Sequence, residues 1–292
     1  MQTWQIGDVL IMRIIETEDT SMAAEFMLPD ATPEQLLAID WLRPHFVDGE
    51  GRLITSIYSL LVETRGKRLV IDTCLGNDKP RAVPDWNERQ GKFLDEIAAA
   101  GFPRESVDYV VCTHLHPDHV GWNTMQVGGQ WVPTFPNARY LFSQADWDWL
   151  DKAPVTPLGD YCGDSVRPVV DGGLADLITP DYQLTKEVRL ISTPGHSPGH
   201  MSVLIESGDA RAIVTGDLMH HPCQIARPHW CSPFDFDQPR ALATRKDFIE
   251  EHSGVPTLVI GTHFATPSAG YIVVDGPTHR LDLAGSPAGD PD

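Results

Sequence analysis

Apolar residues along this chain gather into short runs bounded by Gly, Pro, Asp and Asn, the pattern of strands separated by turns. Ten runs predict strands: VLIMRII (9–15), ITSIYSLLVET (54–64), RLVIDT (68–73), VDYVVCT (107–113), ARYLF (138–142), VRLIST (188–193), MSVLIE (201–206), AIVTGD (212–217), TLVIGT (257–262) and YIVVD (271–275). Helical spacing is rarer. Phe93, Leu94, Ile97 and Ala98 share one face of a helix predicted over 87–100 and stopped by Gly101. A second predicted helix, 241–252, offers Leu242, Phe248 and Ile249 to the core, and short helices are expected at 33–39 and 144–150.

Strands outnumber helices, and the long helices come late within each half. This predicts an α+β fold with two layers of sheet covered by helices, not one doubly wound parallel sheet. A single domain is expected over 1–283. Residues 16–50 and 151–182, rich in Pro, Asp and Gly, are expected to loop away from its core, where pockets are often built. The tail AGSPAGDPD (284–292) is predicted to be disordered.

Charge narrows the partners. A net charge of −19 over 292 residues repels phosphate backbones, and no cluster of Lys and Arg offsets it, so nucleic acid is excluded as a partner. Mean hydropathy is −0.20 and no apolar run approaches the ~18 residues of a membrane span. The first residues, MQTWQIGDVLIMRIIETEDT, lack the basic start, apolar stretch and cleavage site of a signal peptide. The five cysteines (Cys74, Cys112, Cys162, Cys223, Cys231) are odd in number and form no CxxC pair, which points to a reducing, cytoplasmic setting. Cys112, inside an apolar run, reads as core packing.

The segment Thr113-His114-Leu115-His116-Pro117-Asp118-His119 then changes the picture. Three imidazoles and a carboxylate follow an apolar strand directly, and these are the usual ligands of zinc and similar ions. Pro117 forces a turn, and strand periodicity would place His114 and His116 on one face. Three more segments follow the same grammar of strand, small residue, ligand type: Thr193-Pro194-Gly195-His196, Thr215-Gly216-Asp217 and Gly261-Thr262-His263. Strand ends opening on one sheet edge are a rigid way to present a site.

HLHPDH (114–119), TPGHSPGH (193–200), TGD (215–217) and GTH (261–263), in this order, resemble the metallo-β-lactamase superfamily. The resemblance spans about residues 54–275. It implies a four-layer αβ/βα sandwich holding two metals, with His114, His116 and His196 on one, Asp118, His119 and His263 on the other, and Asp217 bridging. His200, by the same pattern, supports the site or packs beside it. The stretch GDLMHHPCQIARPHW, with ATRKDF and THFATPSAGYI, is most similar to the branch of methyl parathion hydrolase and related lactonases and esterases. A bridging Asp is unlike the class B β-lactamases. Leu218, Met219 and His220 stand where acyl-homoserine-lactone lactonases often carry a tyrosine.

The reaction implied is hydrolysis of a small, largely apolar ester or lactone by a metal-bridging hydroxide, with Asp118 relaying a proton. No GxSxG elbow suggests a serine nucleophile. Two zinc ions are the expected cofactors, with manganese, iron or cobalt fitting the same donors. Trp122, Met219, His220 and Trp230 are candidate substrate contacts, alongside Met22, Phe26, Trp41 and Phe46; a homodimer is expected from related enzymes. The alternatives are an aryl organophosphate triesterase on the same site, a mononuclear iron persulfide dioxygenase, and a non-catalytic binding protein.

Overall fold

A computed structural model of the chain describes residues 1–152, 156 and 158–283, so the tail expected to be disordered lies outside the described residues. Two compact units emerge. Among the described residues, the first takes in 3–16 and 57–182, and the second 17–56 and 183–283.

The first unit is built on a seven-stranded sheet. Its strands are β1 (Thr3–Ile6), β2 (Val9–Asp19), β3 (Thr55–Thr64), β4 (Lys67–Ile71), β5 (Tyr109–Val111), β8 (Arg139–Ser143) and β9 (Ala175–Ile178), adjacent in that order. A separate hairpin pairs β6 (Thr124–Val127) with β7 (Gln130–Pro133). β3 and β4 are antiparallel, with Thr64 opposite Lys67. Arg65 and Gly66 between them both have positive φ, the two-residue turn whose twist matches its strands. From β4 through β5 and β8 to β9 the pairing is parallel, and parallel neighbours need long crossovers. Those connections carry α3 (Phe93–Ala99), the one-turn α4 (Pro117–Val120), α5 (Gln144–Leu150) and α6 (Arg167–Asp171). Phe93 and Ile97 bury one face of α3, while Ala98 is exposed. This helix starts later than predicted, after Gly91, because residues 84–86 form a separate 3₁₀ turn.

The second unit holds another seven-stranded sheet: β10 (Tyr182–Gln183), β11 (Val188–Ser192), β12 (Met201–Ser207), β13 (Ala210–Val214), β14 (Thr257–Ile260), β15 (Ala269–Asp275) and β16 (Thr278–Asp282), in sequence order. β13 and β14 pair in parallel, and the crossover between them holds α7 (Cys223–Ala226) and the long α8 (Gln238–His252). Asp237 caps α8, its side chain accepting from the Arg240 N–H, and a proline follows at the second position. Residues 16–50, read from composition as a loop leaving the core, carry α1 (Ala24–Met27) and α2 (Pro33–Leu37). α2 has a full capping box on Thr32 and Gln35. Leu28, Leu36, Leu42 and Phe46 from this segment are fully buried, in one apolar cluster with Ile213, Ile225, Val259 and Phe264. Apolar residues are frequent enough here to outweigh the Pro and Asp between them.

All ten predicted strands and all four predicted helices are present, with shifted ends. No helix among the described residues is long and apolar enough to cross a membrane.

Candidate metal centre

In the first unit, the parallel strands β4 and β5 end side by side, and the residues just past their carboxyl ends make one polar cluster. Asp72 follows β4 directly, in a left-handed backbone conformation (φ 52°). One of its oxygens accepts from the Thr113 N–H (2.8 Å), and the other from the Thr113 hydroxyl (2.9 Å) and lies 2.9 Å from His119 Nδ1. The Thr113 hydroxyl also lies 3.1 Å from His114 Nδ1. His114 Nε2 in turn is 3.1 Å from His116 Nδ1, and the His114 and His119 rings sit 4.0 Å apart.

Neither His114 nor His116 lies in a strand. They converge because β5 ends at Val111 and the chain turns into α4, with His116 before its first residue and Pro117 at the position where a missing N–H costs nothing. Asp118 Oδ2 lies 3.8 Å from His119 Nε2. Gly121, just past α4, is required by close approach: a Cβ there would stand 1.9 Å from the Leu75 backbone.

In the second unit, the carboxyl ends of β11, β13 and β14 open on one edge of the sheet, and each supplies one of the expected ligands. His196 sits on a turn at Gly195 (φ 136°), where a Cβ would stand 2.4 Å from the Ala241 backbone of α8. His196 Nδ1 is 3.0 Å from Asp235 Oδ1, and its Nε2 is 3.5 Å from Asp217 Oδ2. His263 Nδ1 faces the Ser56 carbonyl at 3.0 Å, and its Nε2 is 3.2 Å from Asp217 Oδ1. His200 Nε2 accepts from the Asp217 N–H at 2.8 Å, and its Nδ1 reaches Thr193. His200 therefore positions the Asp217 backbone.

The donor chemistry fits divalent ions. Nδ1 of His119, His196 and His263 each meets an oxygen, on Asp72, Asp235 and Ser56 respectively, which favours the neutral tautomer with its lone pair on Nε2. The imidazole–Asp217 separations of 3.2–3.5 Å are long for charge-assisted hydrogen bonds, which run about 2.7–2.9 Å. They match two donors on one tetrahedral ion, where metal–donor distances of about 2.0–2.2 Å put ligand atoms roughly 3.3–3.6 Å apart.

The four residues read as substrate contacts have different surroundings. The Trp122 indole N–H donates to Glu16 (2.8 Å), and its ring stacks on Phe93. Met219 and Trp230 are buried in the apolar cluster of the second unit. His220 Nε2 is 3.5 Å from Asp217 Oδ2. Burial lowers its pKa to about 3, so the ring is neutral. Its neighbour His221 is spent on structure, with Nε2 on the Phe46 carbonyl and Nδ1 accepting from the Cys223 N–H.

Three supporting residues escaped the sequence reading. Asp72 had a usable signal, since RLVIDT ends a strand in Asp as AIVTGD does. Asp235 and Arg245 had none. Arg245 lies mid-helix, fully buried, donating to the carbonyls of Leu218, Pro228 and Trp230 and standing 3.5 Å from Asp235.

Comparison with known proteins adds the lineage. The family model described as the metallo-β-lactamase superfamily matches residues 54–263. An N-acyl homoserine lactonase of Bacillus cereus is 25% identical over 166 residues, 52% of this chain and 58% of that protein. The matched part thus spans little more than half the length of that relative. Among solved structures, AidC, a dizinc quorum-quenching lactonase in complex with a product N-hexnoyl-L-homoserine, aligns over 100% of this chain and 98% of its own, with TM-score 0.78 at 20% identity. The hydrolase AbOPH of the beta lactamase superfamily aligns over 99% of this chain and 98% of its own, with TM-score 0.76 at 22% identity. At these identities the likeness is one of fold.

Proposed function

The chain belongs to the metallo-β-lactamase superfamily and has its α+β fold, and from that premise we propose that it is a metal-dependent hydrolase of small, largely apolar lactones and esters. The observation that carries this reading is the set of imidazoles whose Nδ1 atoms are engaged by oxygen, so that each ring offers its Nε2 lone pair. In this reading His114, His116 and His196 hold one ion, Asp118, His119 and His263 hold a second, and Asp217 serves both. Residues 1–283 then act as one hydrolase domain, since the family match runs through 54–263. Zinc suits an imidazole-rich set, and manganese, iron or cobalt accept the same donors.

Such an ion pair, when bound, supplies Lewis acidity and lowers the pKa of a water toward neutrality. The chain supplies the rest. Asp72, Asp235 and the Ser56 carbonyl hold three rings in one tautomer and orientation before substrate arrives. Asp118, whose side chain keeps 11% of its surface exposed, takes a proton from the attacking water and passes it to the departing oxygen as the acyl carbon gains the oxygen of water and its bond to the departing oxygen breaks. A lactone thereby opens to a hydroxy acid. The names of two similar proteins, an N-acyl homoserine lactonase and a dizinc quorum-quenching lactonase, support placing lactones first. The net charge of −19 favours neutral, apolar substrates over polyanions.

Metal analysis of the purified protein, coupled to turnover of a lactone, a nitrophenyl ester and an aryl phosphotriester, tests this. The expected result is about two ions per chain, with lactone and ester hydrolysis lost to a chelator and regained on adding metal. Metal binding with no turnover of any of the three would overturn the reading, as would one iron per chain with oxygen consumption.

A further inference from the structure

We infer that His220 is a metal ligand, joining His196 and Asp217 on one ion. This rests on the proposed metal centre and adds to it a donor outside the seven residues that the motifs supply.

Three observations carry it. First, His220 is 3% exposed, yet neither of its ring nitrogens has a hydrogen-bond partner among the described residues. A buried polar group left so costs about 1–3 kcal/mol. His221 shows what a structural histidine looks like in this same stretch, with both nitrogens bonded. Second, donor atoms of His196, Asp217 and His220 all lie within 4.8 Å of one another. Both imidazoles stand 3.5 Å, through Nε2, from the same Asp217 oxygen, the spacing of donors that share an ion. Third, the side chain is held at the cluster by its own backbone. The His220 N–H donates to Gln224 Oε1 at 2.7 Å, and the fully buried Gln224 donates in turn to the Trp230 carbonyl. The arrangement spends two buried hydrogen bonds on fixing a ring that makes none.

An alternative packing role predicts that Phe would serve as well. The decisive comparison is therefore the wild type against His220→Phe and His220→Ala, each loaded with cobalt(II). The expected result is at least a tenfold fall in affinity for one ion, read by chelator competition, with a changed visible spectrum. The metal-free His220→Phe protein should be at least as stable as metal-free wild type, since an unsatisfied polar group has gone. Proton NMR of the cobalt protein should show one exchangeable, hyperfine-shifted ring resonance in wild type that both variants lack. With His220 bound, wild type should show six such resonances against five from the motif histidines alone, a count made on wild type itself, so a variant that fails to fold does not decide the matter.

Unchanged affinity and spectrum in both variants would overturn the inference. So would a changed KM with metal binding intact, which would make His220 a substrate contact instead. If wild type binds no metal at all, the proposed function falls as well, and the two failures are thereby told apart.

Discussion

The two clusters of proposed ligands are supported in different ways. In the first unit the proposed ligands come from six consecutive residues, and their support is almost as local: Asp72 from the neighbouring strand end, and Thr113 from the motif itself. In the second unit the expected ligands come from three loops, after β11, β13 and β14. Their supports come from further still, with Ser56 behind His263, Asp235 behind His196, and Arg245 behind Asp235 and the Leu218 carbonyl. Both units also bury an arginine, but with different consequences. Arg81 pairs with Asp164 through both terminal nitrogens, and the Asp164 carboxylate otherwise meets Ser165 and Lys79, where Asp235 meets an imidazole. Arg245 stands one carboxylate away from His196. A local cluster is stiffened by its own backbone, whereas a distributed one depends on long-range polar contacts that fold and fail with the whole unit.

Replacing the two arginines breaks or confirms that contrast, with the largest effects expected here. Arg245→Met would leave Asp235 buried with no cation and strand the Leu218 and Pro228 carbonyls, while the Trp230 carbonyl keeps Gln224, so a loss of about 3–5 kcal/mol in unfolding free energy is expected. Arg81→Met should cost less, because Lys79 still stands 3.7 Å from the Asp164 carboxylate. The metal should separate them. Chelator competition is expected to show weakened binding in Arg245→Met and unchanged binding in Arg81→Met. Equal losses of affinity would mean that both arginines act only through global stability, and the contrast would fall.

The same contrast explains what could be read from the chain. HLHPDH is legible because clustered donors make a local motif, and apolar periodicity alone located ten strands and four helices. His196, Asp217 and His263 each look ordinary in isolation, and only the repeated strand-then-ligand grammar and the family pattern join them. The supports were not legible. Nothing in SPFDFD marks Asp235 as the partner of His196, while Asp237 two residues later caps a helix. An arginine in mid-helix reads as solvent-facing, because nothing in the spacing announces three carbonyls turned inward at Arg245. Residues 16–50 misled for a related reason: their apolar positions follow no single period, being shared among short helices and turns that pack on the second unit's core.

A smaller effect is expected from the carboxylates that set the rings. Asp72→Asn and Asp235→Asn each keep the shape but turn an N–H₂ toward a donor, whichever way the amide is placed. Either the histidine changes tautomer or a backbone N–H loses its acceptor. Losing such a partner typically lowers metal affinity or activity about 10–100-fold. Asp72 also ties Thr113, so Asp72→Asn should lose unfolding free energy as well. Metal titrations run beside urea unfolding would check both. Asp235→Asn with wild-type affinity would show that the Ser232, Arg245 and His196 contacts do not orient the ligand.

The smallest effect on metal binding is expected away from the proposed ligands, at a residue that tests whether the buried charges of the first unit are a cost that its local cluster tolerates. Lys79 is fully buried, 3.0 Å from the Asp164 carbonyl and 3.7 Å from the Asp164 carboxylate, with its ammonium 3.7 Å above the centre of the Trp131 ring. Burial outweighs the attraction of Asp164 and lowers its pKa from 10.5 to about 7, helped by the nearby Arg81 charge. Between about pH 7 and 10.5 the unfolded chain therefore binds more protons at this site than the folded one. Stability should rise with pH across that window, by at most about 1.4 kcal/mol per pH unit. Lys79→Met removes that contribution, so its unfolding free energy should climb less steeply than wild type from pH 7 to 10. Urea unfolding of both proteins at several pH values measures the difference in slope. Parallel curves would mean that Lys79 stays charged in the fold, held by Asp164 and Trp131, and that this buried cluster is a support after all.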